Sequence, residues 1–338
     1  FLGDGPGNDP GGGVRVRGAE PARADRSLPK IAPANAGVAL LVRDGALSVP
    51  TTEAQREVLL GSALAPEASV AFNESVSVTL RGGPVDRAAM ETALGRLLAR
   101  HDALRGRFPG PDMTVMLVPP ANMADSASLP LLDAGTDPRG AEAALAELVE
   151  QEARRPFDLE RDGLLRAQLV RMAPDRHVLV ITAHHAVLDG WSFGVLLQEL
   201  GALYRAEADG VAAALPPAPS FAEHALAEAA QAEDGRTGRA LNYWRGRLAT
   251  MPPPMPPLEL PGDRVRPESS RDFAAAMERA EVPGDRARAL RRAGARLGCT
   301  PFAMLLAAYL ALLGRLLQNG ANVLDKTHVE HLIRFVQH

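Results

Sequence analysis

Between residues 184 and 192 the chain reads His184-His185-Ala186-Val187-Leu188-Asp189-Gly190-Trp191-Ser192, a set of residue types that can carry proton transfer. A neutral imidazole titrates near physiological pH, so a histidine held at the end of a strand can take a proton from an incoming nucleophile. Successive residues of an extended chain point to opposite sides. His184 and His185 therefore face different surroundings, one expected to act on a ligand and the other to support structure. Asp189, four residues beyond His185, is badly placed to orient it if the chain turns there. It is expected instead to lock the loop by pairing with a distant cation. Gly190 leaves room for close approach of a ligand, and at the mouth of the next helix its N–H can face a developing negative charge.

The flanking segments must hold this loop in place. His177 to Ala183 is apolar and β-branched and reads as a buried strand that ends at the histidines. Ser192 is expected to cap a helix carrying Phe193, Leu196, Leu197, Leu200, Leu203 and Tyr204 on one stripe. Upstream, Glu74 to Leu80 alternates Val76, Val78 and Leu80 with polar residues, the period of a strand covered on one face. Asp86 is expected to cap a helix with Met90, Ala93, Leu94, Leu97 and Leu98 along one side. A further helix over about 140–155 and a strand alternating Leu165, Ala167 and Leu169 complete a mixed α/β lobe.

His184 to Gly190 resembles the HHxxxDG motif of the chloramphenicol acetyltransferase-like superfamily, and its continuation through Trp191-Ser192 is similar to nonribosomal peptide synthetase condensation domains. Further stretches carry the narrower resemblance, in the order that family shows. Thr52-Glu53-Ala54-Gln55-Arg56-Glu57-Val58 and the run from Arg100-His101-Asp102 to Phe108 resemble the first two condensation motifs. Pro156-Phe157-Asp158-Leu159, followed by Gly163-Leu164-Leu165-Arg166-Ala167, matches the run leading into the histidine strand. The segments 241–248 and 260–267 resemble those joining the family's two lobes. The likeness runs from about Val49 to Leu317.

The resemblance implies a chloramphenicol acetyltransferase-like α/β fold and amide synthesis between two carrier-bound substrates. His185 matches the catalytic histidine, while His184, Asp189, Gly190, Trp191 and Arg105 fall at supporting positions. Asp189 is expected to pair with an arginine of the C-terminal lobe, or with Arg105 if its partner lies in the N-terminal lobe. The implied partners are donor and acceptor carrier proteins, upstream and downstream, and a neighbouring adenylation domain. Phosphopantetheine travels on those carriers, and neither a bound cofactor nor a metal is expected in the chain itself. Two alternatives are weighed: a catalytically incomplete fragment that docks carrier proteins or serves as a scaffold, and another HHxxxDG acyltransferase.

Domain boundaries follow from these matches and from composition. Residues 1–48 form a Gly/Pro-rich linker or extension, 49–215 an N-terminal condensation lobe, 216–268 the connection, 269–317 the beginning of a C-terminal lobe, and 318–338 an atypical tail. The family's later motifs are absent after Leu317, so the chain reads as a fragment or a truncated reading frame. Phe302 to Leu313 is too short to span a bilayer and is expected to be a buried helix opened by Thr300 and Pro301.

Composition excludes some classes. A net charge of −4 and an aromatic content of 4% argue against a nucleic-acid surface. Cys299 is the single cysteine, so no internal disulfide can form, consistent with a cytoplasmic setting. Gly11-Gly12-Gly13 lacks the Lys-Ser/Thr of a phosphate loop. His328 and His331 lie three residues apart without obvious further ligands, so zinc is not expected.

Overall fold

The computed structural model describes residues 41–43, 45–110, 112–121, 128–233, 236–249 and 280–317. The segment 260–267, the N-terminal extension, the Gly11–Gly13 run and the tail with His328 and His331 lie outside them. The chain divides into two units, Phe1–Asn242 and Tyr243–His338.

The first unit is built on two sheets. Strands Leu41–Arg43 (β1), Ala46–Pro50 (β2) and Val115–Val118 (β4) form a small antiparallel sheet in the order β1-β2-β4. The larger sheet is built from Asn73–Arg81 (β3), Arg176–His184 (β7), Leu165–Ala173 (β6) and Leu131–Asp133 (β5), in the order β3-β7-β6-β5. Its pairings are antiparallel except for β5 with β6, which is parallel. The predicted mixed α/β lobe is thus present.

Alternation along β7 decides what covers each face. Leu179, Ile181 and Ala183 pack against Met90, Ala93, Leu94 and Leu97 of helix Arg87–Arg100 (α3) and Phe193, Leu196, Leu200 and Leu203 of helix Gly190–Asp209 (α5). Val178 and Val180 point the other way, onto Ala144, Leu145 and Leu148 of helix Ala141–Arg154 (α4). Burial on both faces explains why β7 reads as a continuous apolar run. Each Leu or Phe taken fully from water contributes about 1.5–3 kcal/mol. Asp86 caps α3 as the sequence predicts, its carboxylate accepting from Ala89 N at 3.0 Å.

Helix Glu53–Ser62 (α1) and the short helix Pro66–Val70 (α2) lie between β2 and β3 in sequence. Val49, Leu59, Phe108, Met116, Phe157, Leu164 and Ala186 share a second core with Ala222 and Ala225 of helix Phe221–Glu233 (α6). The second condensation-like motif serves this packing. Asp102 accepts from Ser220 Oγ, Phe221 N and Ala222 N at 2.6, 2.8 and 3.1 Å, capping α6 from 118 or more residues away. Arg100 and His101 both hold Glu199 of α5, at 2.8 and 2.7 Å.

Helix Arg236–Ala249 (α7) carries the 241–248 segment, with Tyr243 and Trp244 in an edge-on contact. In the second unit, helices Gly284–Arg296 (α8) and Pro301–Leu317 (α9) meet at a tight corner. A Cβ at Gly294 would lie 2.9 Å from the Cys299 carbonyl oxygen, so this approach requires glycine. Thr300 caps α9 as predicted, accepting from Ala303 N at 3.2 Å. The expected burial of Phe302–Leu313 is corrected. Ala303 is buried, but Phe302, Leu305, Tyr309 and Leu312 are each more than half exposed, because apolar content alone does not supply a partner face. Among the described residues, no single helix is long and apolar enough to cross a membrane.

Candidate active site at the end of the histidine strand

β7 ends at His184, and the two histidines part company there. His184 is fully buried, between Phe72 and Phe157, whose ring centroids each lie 6.2 Å away. Its Nδ1 accepts from Ala186 N at 3.2 Å, which places the ring proton on Nε2, 3.5 Å from Ser62 Oγ. Ser62 donates its own hydroxyl proton to Val58 O, so its oxygen is free to accept. Burial pushes the His184 pKa down to about 4, and the imidazole stays neutral at neutral pH. His184 is thus a buried, neutral ring held by packing and by the Ala186 N–H.

His185 faces the opposite side and retains 35% side-chain exposure. Its backbone N–H donates to Phe72 O at 2.9 Å, extending the β3–β7 pairing by one residue. Nδ1 lies 2.9 Å from Leu188 O. A carbonyl oxygen only accepts, so Nδ1 bears the proton and Nε2 the lone pair. Among the described residues nothing hydrogen-bonds to Nε2, leaving it available as a base.

One sequence-based expectation for the loop is overturned. Asp189, not Ser192, caps α5: its carboxylate accepts from Ser192 N at 2.8 Å and from Ser192 Oγ at 2.6 Å. Among the described residues of the first unit no cation forms an ion pair with Asp189, and the C-terminal-lobe arginine expected for it remains a proposal. The unsatisfied N–H groups of the first helical turn are its nearest donors, and the Ser192 hydroxyl holds its pKa below the usual carboxylate range. Arg105 is elsewhere engaged, donating to Leu98 O and Ala99 O at 2.7 Å and to Pro119 O at 2.9 Å. It closes the C-terminus of α3, whose last carbonyls lack helical partners. Gly190 opens α5, and among the described residues no atom lies within 4 Å of a would-be Cβ. Trp191 beside it is 86% exposed.

Several residues that position the site had no assigned role in the sequence reading. Gln55, the N3 residue of a capping box with Thr52, donates from Nε2 to Ala186 O at 3.0 Å and so ties α1 to the histidine loop. Arg166 stacks 3.7 Å over Phe157 and pairs with the buried Glu152 at 3.0 Å. It fixes the ring against which His184 packs. Glu74 places Oε1 3.2 Å from His185 Nδ1. A carboxylate heading an otherwise apolar row was the available signal, but the contact depends on a register no local pattern reveals. Among the described residues, no group of three or more His, Cys, Asp or Glu is arranged to hold a metal ion.

Comparison with known proteins places this geometry. Residues 47–324 match the family model of the condensation domain. The chain is 38% identical over 273 residues to phosphinothricin tripeptide synthetase PhsC of Streptomyces viridochromogenes, covering 79% of this chain and 24% of that protein. It is 36% identical over 245 residues to malpibaldin synthetase of Mortierella alpina, covering 71% of this chain and 4% of the relative. The solved first condensation domain of the calcium-dependent antibiotic synthetase, in complex with a substrate analogue, aligns with a TM-score of 0.65 at 24% identity. That alignment covers 79% of this chain and 60% of the solved one, and shows the same fold. The chain thus spans a quarter or less of these curated relatives.

Proposed function

This chain belongs to the condensation-domain family of the nonribosomal peptide synthetases, and from that premise we propose that it joins a carrier-bound acyl or peptidyl thioester to the amine of a carrier-bound aminoacyl thioester. The observation that carries the reading is His185: Nδ1 is tied to Leu188 O, and among the described residues nothing hydrogen-bonds to Nε2 of this partly exposed ring.

In the proposed reaction the acceptor nitrogen attacks the thioester carbonyl carbon. The C–N bond forms, the C–S bond breaks, and the sulfur leaves as a thiolate. His185 Nε2 takes the proton that the attacking nitrogen must shed and returns it to the thiolate as the free thiol. Magnitudes set its share. With an α-amino pKa of about 7.7–8.0, roughly a tenth to a fifth of the acceptor is neutral at pH 7. Initial deprotonation is therefore a small barrier. A general base contributes about 3–5 kcal/mol, whereas positioning two reactants reaches about 7–11 kcal/mol. The larger effect is proximity, and His185 assists it.

The partners in this reading are donor and acceptor carrier proteins, whose phosphopantetheine arms present the substrates, with an adenylation domain supplying the acceptor. A cytoplasmic setting belongs to the same proposal, and the single Cys299 is consistent with it. The test supplies the full chain with an acyl-loaded donor carrier and an aminoacyl-loaded acceptor carrier. Intact-mass analysis should find the acceptor carrier heavier by the acyl group. Transfer only to a free alcohol or amine would instead favour another acyltransferase, and no transfer to any acceptor would favour a docking or scaffold role.

A further inference from the structure

Glu74 and His185 meet because of strand register. Glu74 pairs with Ala183, so it shares a sheet face with the residue two positions on, His185. The same face of β3 carries Val76 and Leu80, both packed on the core formed with α3 and α5. The Glu74 side chain is only 34% exposed at the head of this apolar row, and a half-buried carboxylate needs a partner. Among the described residues its ion-pairing partner is His185, at 3.2 Å from Nδ1. Leu188 O accepts from the same nitrogen, which fixes the proton there. Asp189, the other nearby carboxylate, is committed to Ser192.

We propose that Glu74 is a positioning residue for His185, its carboxylate facing Nδ1–H and stabilising the imidazolium that forms when Nε2 takes up a proton. The inference rests on the proposed role of His185 and deepens it. A neutral carbonyl alone orients the ring. A carboxylate adds charge opposite the cation that appears during the reaction, and its effect travels through the imidazole without touching substrate.

The test compares Glu74→Gln, which keeps shape but loses charge, with Glu74→Asp, which keeps charge. Two readouts are used on the full chain. The first is the rate at which diethyl pyrocarbonate modifies each histidine at about pH 8.5, where imidazoles are deprotonated and the rate reads the nucleophilicity of the ring nitrogen, resolved by peptide mass, which needs no turnover. Glu74→Gln should slow modification of His185 severalfold while leaving exposed His224 unchanged, and Glu74→Asp should restore part of the rate. The second is amide formation with loaded carriers. Glu74→Gln should lower kcat about tenfold or more, with KM within about twofold, and Glu74→Asp should recover part of kcat. An unchanged His185 modification rate, or an unchanged kcat in an active chain, overturns the proposal. A wild-type chain that forms no amide yet shows Glu74-dependent reactivity supports the pairing and counts against the proposed reaction instead.

Discussion

Gln55 Nε2 donates to the carbonyl oxygen of Ala186 at 3.0 Å, joining the first turn of α1 to the residue immediately after the histidine pair across 131 positions of sequence. The same amide accepts from Thr52 N at 3.1 Å, so one side chain caps a helix and holds a loop. Gln55 is buried, and so is Ala186.

Replacing Gln55 by Leu should leave the Ala186 carbonyl and the Thr52 N–H without their partner. The expected cost is about 1–3 kcal/mol, read as a lowered denaturation midpoint. Gln55→Glu should also be harmful. An ionised carboxylate cannot donate to Ala186 O, whereas its oxygens still serve Thr52 N, so this substitution separates loop anchoring from helix capping. In an active chain Gln55→Glu should therefore reduce kcat beyond what its stability loss explains.

His184 gives the fold a defined acid sensitivity. Burial lowers its pKa from 6.5 to about 4, so between those values the unfolded chain binds a proton that the folded chain does not. Its contribution is fully present above pH 6.5 and is lost progressively as pH falls toward about 4, on the order of 3 kcal/mol in all. Urea denaturation across this range should show that slope, and His184→Gln should flatten it. A wild-type midpoint that does not fall over the same range would contradict neutral burial.

Asp189→Ala should cost what a lost helix cap costs, about 0.5–2 kcal/mol, and not the larger penalty of breaking a buried ion pair. Asp189→Asn, which still accepts from Ser192 N, should recover most of it. Thermal melts of the two variants distinguish these cases. Equal, severe destabilisation by both would mean that charge, and a cationic partner, matter more than capping.

Local signals made most of the N-terminal lobe legible. Asp86 three residues before Ala89, Thr300 three before Ala303, and the apolar runs of β7 and α5 each encode their element within one or two turns of chain. The histidine loop was likewise visible from its residue order. What sequence did not reveal depends on register or on competition between donors. Glu74 reaches His185 only because Asn73 aligns with His184 across β3 and β7, and nothing local specifies that alignment. Asp189 caps α5 in place of Ser192 because the free N–H groups of the first helical turn lie within reach of its carboxylate, a competition between neighbours that residue order does not decide. The exposed face of α9 shows the remaining gap, since hydropathy states that Leu305 and Leu312 prefer burial without stating what buries them.

The central claim, that His185 Nε2 is the base of an amide-forming site, is tested most directly by single-turnover transfer between loaded carriers with wild type and His185→Ala. The ring is partly exposed and contributes little packing, so the variant should keep the wild-type melting temperature within about 2–4 °C. Its transfer rate should fall about 10²- to 10⁴-fold. A folded His185→Ala chain that transfers at close to the wild-type rate would contradict the account.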